Sequence, residues 1–72
     1  MTGRAEIRLA GRGGVFVADG CEIAGPFVHA TGRWRWRTGA NCAELRYSEP
    51  ITRTWPAHEV REIRWQNIEV TA

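Results

Sequence analysis

Lysine is absent from this sequence, and all ten of its Lys/Arg cations are arginines. Arginine favours paired contacts with phosphate or carboxylate, which is a functional explanation of the bias. A GC-rich genome is the other explanation, because most arginine codons are rich in G and C whereas lysine codons are rich in A. Eight acidic residues leave a net charge of only +2, which argues against a dedicated polyanion binder. We therefore favour the genomic explanation and expect a protein of a GC-rich bacterium or its phage.

Long apolar runs are also missing, so no segment has the roughly 20 apolar residues that a membrane span needs. Residues 1–10 carry three charged side chains and no continuous apolar stretch of the kind found in signal peptides. We therefore expect a cytoplasmic protein without a membrane partner. Residues 1–72 should form one small domain, and a domain of this size buries only about 60% of its unfolded surface.

Residues suited to metal binding or nucleophilic catalysis are few. The two cysteines and two histidines are Cys21, Cys42, His29 and His58, and the closest two, Cys21 and His29, are eight positions apart. Structural zinc sites usually draw their ligands in closer pairs, so we expect reduced thiols and no metal or other cofactor. Ser48, the only serine, lies in a turn-like segment without the signature of a catalytic nucleophile. These absences predict a protein that is not an enzyme.

What the sequence does contain is a strict alternation of cations and large aromatic residues. It comprises Arg33, Trp34, Arg35, Trp36 and Arg37. Successive side chains of a β-strand point to opposite faces, so both tryptophans would share one face and all three arginines the other. We expect the tryptophans to be buried and the arginines to be exposed.

Other short alternating or β-branched segments are separated by turn signals. Ala5, Ile7 and Leu9 would share one face of a first strand, and the glycine-rich residues 11–14 would form a turn. Further turns are predicted at Asp19-Gly20 and Gly25-Pro26. Turn signals that recur every eight to twelve residues are typical of an all-β sandwich or barrel.

The arginine–tryptophan strand can pair with residues 42–47 through a turn centred on Gly39-Ala40. The predicted cross-strand pairs are Trp36 with Ala43, Trp34 with Leu45, Arg35 with Glu44, Arg37 with Cys42, and Arg33 with Arg46. The pair of arginines would cost up to about 1 kcal/mol, and it would become favourable if an anion lay across that face.

Residues 56–64 allow two interpretations. Pro56 can be the first residue of a helix, or residues 56–59 can form a single 3₁₀ turn followed by a strand. The strand would place Ile63 and Trp65 on one face, end at Asn67, and be followed by a last short strand over residues 68–71. We favour the turn and strand, because β-branched residues and tryptophan dominate after residue 59.

That ending resembles the SH3-like small β-barrels of bacterial and phage type, in which a proline-led 3₁₀ turn precedes the closing strand. The resemblance covers residues 33–65 and implies an antiparallel barrel of five or six strands. The sequence departs from peptide-binding SH3 domains, since Arg35 separates Trp34 and Trp36, Glu59 precedes Val60 where a tyrosine of the peptide groove is expected, and the Ala-Leu-Tyr-Asp-Tyr stretch is missing. Binding of proline-rich peptides is therefore not implied.

Seven large aromatic residues exceed what a core of this size encloses, so at least one should be exposed. Trp55 is the expected one, because it follows a polar run. The candidate binding residues are therefore Arg33, Arg35, Arg37, Arg46 and Trp55. They predict a non-enzymatic binding module for a nucleic-acid backbone or an acidic protein surface. The alternative is a structural or assembly protein, which would form a homo-oligomer through exposed aromatic residues and the edge strand at 68–71.

Overall fold

The computed structural model describes residues 2–68, and over this range the chain forms a six-stranded antiparallel sheet. The strands are β1 (Thr2–Leu9), β2 (Val15–Ala24), β3 (Phe27–Thr38), β4 (Glu44–Tyr47), β5 (Ile51–Pro56) and β6 (Val60–Ile68). Two 3₁₀ turns lie at Ala40–Cys42 and Ala57–Glu59. The prediction of an all-β antiparallel fold is confirmed. Among residues 2–68, no helix is long and apolar enough to cross a membrane.

The strand order is β4-β3-β2-β1-β6, and β5 pairs with the same edge of β3 as β4 does. Residues 27–32 of β3 pair with β5, and residues 35–38 pair with β4. Within the described residues β4 and β6 do not pair with each other, so the sheet stays open rather than closing into a barrel.

The core lies on one face of this curled sheet. Ala5, Ile7 and Leu9 are buried there, which confirms the predicted alternation of β1. Phe16 is fully buried and meets the rings of Trp34 and Trp55 edge to face, with centroid separations of 5.2 and 5.1 Å. The core therefore collects side chains from strands that are far apart in the sequence.

Gly32 allows two strands to approach closely at the centre of the sheet. It pairs with Ala18 of β2 and with Ile51 of β5. A Cβ atom at this position would overlap the carbonyl oxygen of Val17 and lie 2.8 Å from the Cα of Ala18. Only glycine fits here without movement of the β2 backbone, because both nearest obstacles are main-chain atoms.

The turn predicted at Asp19-Gly20 is wrong, because β2 continues through these residues to Ala24. The pairing of β2 with β3 shifts between Ala18 and Gly20, which marks a β-bulge. The extra residue lets Ala18 and Cys21 both face the core although they are separated by an odd number of positions. The turn at Gly25-Pro26 is confirmed, since Ala24 pairs with Phe27.

The predicted register of the hairpin between β3 and β4 is wrong by three residues. The observed pairs are Arg35 with Tyr47, Trp36 with Arg46, Arg37 with Leu45, and Thr38 with Glu44. The connection is longer than predicted, because Asn41 and Cys42 adopt left-handed backbone conformations within a 3₁₀ turn. A shift by an odd number exchanges the two faces of β4, so Arg33 and Arg46 are not opposite each other.

The C-terminal part follows the predicted turn and strand, and the alternative helix is absent from residues 56–64. Ile63 and Trp65 are half-buried and pack against the core, whereas Glu62 and Arg64 are exposed. The predicted end of the strand at Asn67 is wrong, since β6 continues to Ile68. Residues 69–71 of the predicted last strand lie outside the described residues.

Candidate anion-binding cleft

The structure brings together only some of the residues predicted to bind a partner. Arg33, Arg35 and Arg37 lie on the face of β3 that points away from the core, called the outer face here. Arg46 pairs with Trp36 and therefore lies on the opposite face. The predicted exposure of Trp55 is wrong, since it is only 8% exposed. Trp55 is covered because it pairs with Val28 and packs on Phe16 and Trp34.

A cleft of about 560 Å³ lies on the outer face, and we call it the arginine cleft. It is lined by Arg8, Gly13, Gly14, Val15, Arg35, Trp36, Arg37 and Leu45. Arg8 reaches it from β1, and Arg35 and Arg37 reach it from β3. The intervening strand β2 contributes only the buried Val15 to the described lining. Among the residues that the structure describes, no carboxylate lines it, so the cleft is suited to an anion.

The three arginines differ in how firmly they are held. Arg35 Nη2 lies 3.1 Å from Glu6 Oε1, and both side chains are largely covered. Arg8 Nε lies 3.3 Å from Glu62 Oε1, and there both side chains are nearly half-exposed. Exposed ion pairs contribute about 0–1 kcal/mol, so Arg8 can exchange Glu62 for another anion at little cost.

Arg37 is the arginine of the cleft that is most available to a ligand. Its Nη1 donates a long hydrogen bond of 3.4 Å to the carbonyl oxygen of Cys42. Among the described residues, no carboxylate lies within ion-pair distance of it. Arg33, by contrast, lines a separate shallow cleft that also contains Asp19. We therefore place the candidate site around Arg37 rather than around Arg33.

The glycine-rich loop between β1 and β2 forms one wall of the cleft. Gly14 has a φ of +85°, and a Cβ atom there would lie 3.2 Å from the carbonyl oxygen of Arg35. Glycine therefore lets the loop lie against β3 in a conformation that other residues rarely adopt. The sequence predicts only a flexible turn here, and its contribution to a site depends on the approach of β3.

A second groove, of about 270 Å³, adjoins the arginine cleft and is called the Arg12 groove here. Arg12, Gly13, Gly14, Trp34, Arg35, Trp36 and Ser48 line it. The guanidinium of Arg12 lies over the Trp34 ring, 4.2 Å from its centroid, as in a cation–π contact. Trp36 is 42% exposed and borders both the groove and the cleft, so its predicted burial is wrong. Along β3, Trp34 is the last side chain that packs against the core. No strand of the described chain covers Trp36.

Ser48 connects β4 to β5 and has a structural role. Its Oγ accepts a hydrogen bond of 2.9 Å from the Trp34 amide, and its own amide donates to the Trp34 carbonyl at 3.0 Å. The hydroxyl also donates to the carbonyl of Glu49. The serine thus continues the hydrogen bonding of β3 where the strand changes from one neighbour to the other.

Both cysteines are free, but their surroundings differ. Cys21 is 2% exposed, and burial raises the pKa of its thiol. Cys42 is exposed in the turn before β4. Among the described residues no group of three cysteine, histidine or acidic side chains is placed to hold a metal ion.

Four large residues that line the cleft or the groove were not among the predicted binding residues: Arg8, Arg12, Trp36 and Leu45. The alternation of β1 does place Arg8 opposite the core, but its proximity to Arg37 depends on the order of the strands. No family model, no curated protein and no solved structure matches the chain. The geometry of the cleft is therefore the basis for a functional proposal.

Proposed function

We propose that this chain is a non-enzymatic binding module that uses the arginine cleft to contact an anionic partner, first of all a nucleic-acid backbone. One observation carries the proposal: Arg8, Arg35 and Arg37 converge on a cleft in which none of the described lining residues is a carboxylate. An acidic protein surface is the second candidate partner, because its carboxylates offer the same charge. The module would act in the cytoplasm of a GC-rich bacterium or with its phage.

A phosphate backbone suits this cleft for energetic reasons. Guanidinium groups form paired, charge-assisted hydrogen bonds with phosphate oxygens. Each neutralised phosphate also releases condensed counterions, which favours binding at low salt. The SH3-like character that we propose for the fold agrees with a binding role, and it is supported by the 3₁₀ turn before β6 and the return of β6 to β1. Fold alone does not determine the partner.

The test is a titration of labelled DNA with the wild type and two arginine variants at several salt concentrations. Arg37→Ala should weaken binding and flatten the log–log salt dependence by roughly 0.7–0.9 for each phosphate that is no longer neutralised. Arg53→Ala is the matched control, because Arg53 is an exposed arginine on β5 outside the cleft. Its salt dependence should equal that of the wild type.

Failure of the wild type to bind DNA at low salt would contradict the nucleic-acid proposal. Polyglutamate would then serve as the probe for an acidic protein surface, with the same two variants. Retention of polyglutamate that requires Arg37 would favour the second partner class. Absence of binding to either probe would reject the anionic partner altogether.

Assembly of several copies is the alternative function, and β4 is the observation that favours it. All four residues of β4 are exposed, including Leu45 and Tyr47 on the outer face. One edge of β4 has no partner strand among the described residues. Antiparallel pairing of two copies centred on Leu45 would place each Glu44 opposite an Arg46 of the other copy, which is favourable.

Sedimentation velocity over a range of protein concentrations tests this alternative. Glu44→Arg should abolish such a dimer, because it would place arginine opposite arginine across the new interface. The double variant Glu44→Arg/Arg46→Glu restores complementary pairs and should restore the dimer. A wild type that stays monomeric at all concentrations would exclude assembly through β4.

A further inference from the structure

We propose that the nucleic acid bound by this chain is single-stranded and that it bends around the open edge of β3, from the arginine cleft into the Arg12 groove. Trp36 would stack on an unpaired base between phosphates held by Arg37 on one side and Arg12 on the other. This inference rests on the proposed function and specifies the class of nucleic acid.

The open edge is a consequence of where β2 begins. Val15, the first residue of β2, pairs with Arg35, so residues 36–38 of β3 have no partner on that side within the described chain. Only the Gly13-Gly14 loop lies beside them, and it borders both the arginine cleft and the Arg12 groove. The two depressions therefore meet at this edge instead of being separated by a neighbouring strand.

Charge and an aromatic surface are both present along this path. Arg8 and Arg37 line the first depression and Arg12 the second, and over residues 2–68 no carboxylate lines either of them. Trp36 lies between them with an exposed side chain. Alternating cations and aromatic rings match a single strand, in which phosphates and unpaired bases alternate.

A duplex does not suit the same path. Double-stranded DNA is stiff over about 150 base pairs, so it does not turn around the edge of one strand. Its bases are stacked inside the helix and do not reach an indole ring. The β3–β4 hairpin is also a poor reader of the major groove, because its tip at residues 39–43 carries no basic residue. Duplex binding would therefore involve the arginine cleft alone.

Fluorescence anisotropy with fluorescein-labelled oligothymidine of about 15 nucleotides tests the inference, since OB-fold domains bind single-strand sites of about 4–16 nucleotides. The same strand annealed to oligoadenine is the duplex probe. Trp36→Ala should weaken single-strand binding by roughly 5- to 150-fold and leave the salt slope unchanged, because it removes stacking and no charge. Trp36→Phe keeps an aromatic face and should recover most of the affinity.

Arg12→Ala distinguishes a ligand that contacts both the arginine cleft and the Arg12 groove from one that binds only in the arginine cleft. It should lower the single-strand salt slope by roughly 0.7 while leaving duplex binding unchanged, whereas Arg37→Ala should weaken both. Phe27→Ala is the matched aromatic control, since Phe27 is similarly exposed on the same strand but outside both depressions. Arg53→Ala remains the arginine control, and circular dichroism melting confirms that each variant is folded.

The outcomes distinguish failure of the single-strand path from failure of the nucleic-acid function on which it rests. Equal affinity for both probes, with no effect of Trp36→Ala or Arg12→Ala, would overturn the single-strand path and leave anion binding at the arginine cleft intact. Absence of binding to either probe at low salt would overturn the nucleic-acid function itself. Preference for the single strand that depends on Trp36, Arg12 and Arg37 would support both.

Discussion

Trp55 is covered by the core, whereas Trp36 is partly exposed. Their replacement should therefore lower the free energy of unfolding by different amounts. Trp55 contacts Phe16 and Trp34 in the core, whereas Trp36 lies beyond the last strand that could cover it. Trp55→Ala should lower the free energy of unfolding by about 3–5 kcal/mol. Trp36→Ala should cost about 1 kcal/mol or less. Urea denaturation measures both, and equal losses would contradict the placement of the core.

The two cysteines should react with iodoacetamide in a fixed order. Cys42 is exposed, whereas the Cys21 thiol is covered and has a raised pKa. Since the thiolate is the reactive form, we expect Cys42 to be alkylated in the native protein and Cys21 only after unfolding. Mass spectrometry of tryptic peptides at successive times gives the order. Early labelling of Cys21 would contradict its burial.

Cys21 should also make the protein less stable at alkaline pH. Its pKa is higher in the folded state, so the folded state holds the proton more tightly than the unfolded chain does. The resulting stabilisation is complete below the pKa of the unfolded thiol and is lost as the pH rises through the higher pKa of the folded state. Denaturation of the wild type and of Cys21→Ala at neutral and alkaline pH measures this loss. A parallel decline in both would assign it to other groups.

At the scale of the elements, Gly32 leaves no room for a side chain between β2 and β3. Gly32→Ala places a methyl group against the β2 backbone and should cost about 1–3 kcal/mol or more. Gly13→Ala is the matched control, because a Cβ atom there meets nothing within 4 Å, and it should change stability by about 0.5 kcal/mol or less. Thermal melting compares the two. A fully stable Gly32→Ala would show that β2 and β3 are not this close.

The register of the β3–β4 hairpin has a direct spectroscopic test. Trp36 should give cross-strand nuclear Overhauser contacts to Arg46, its observed partner, and none to Ala43. Such contacts require two residues that are directly opposite each other, because the Cα atoms of opposed residues lie within about 5.5 Å across the ladder. Overhauser contacts from Trp36 to Ala43 would contradict the observed register and support the register predicted from the sequence.

Local patterns in the sequence were sufficient to predict several elements of the fold, but β5 (Ile51–Pro56) was not among them. Strict alternation gave the buried face of β1, and the composition after residue 59 gave β6 with its preceding 3₁₀ turn. The bulge at Asp19-Gly20 and the left-handed Asn41 were not predicted, because glycine and asparagine favour several kinds of bend equally. The arginine cleft also depends on strand order, which no local pattern contains. Arg35 and Arg37 were therefore predicted, whereas Arg8 was missed.

Across the whole molecule, the outer face should behave as a network of weak ion pairs rather than as a source of stability. Glu62 lies near both Arg8 and Arg64, and Glu6 accepts hydrogen bonds from both Arg35 and Gln66. The exposed pairs of Glu62 contribute little individually and are screened by salt, whereas the Arg35–Glu6 pair is largely covered and is screened less. Arg35 is therefore held in one orientation, whereas Arg8 can exchange Glu62 for another partner at little cost.

The position of β1 between β2 and β6 has a consequence for biosynthesis. Ile7 pairs with Phe16 on one side and with Ile63 on the other, so its second neighbour is translated almost a whole chain later. Translation proceeds at about 5–20 residues per second, so β6 is synthesised roughly 3–10 seconds after β1. During this interval the nascent chain carries an unpaired strand edge, which chaperones and other nascent chains can recognise. Folding of this protein is therefore completed only as the end of β6 leaves the ribosome.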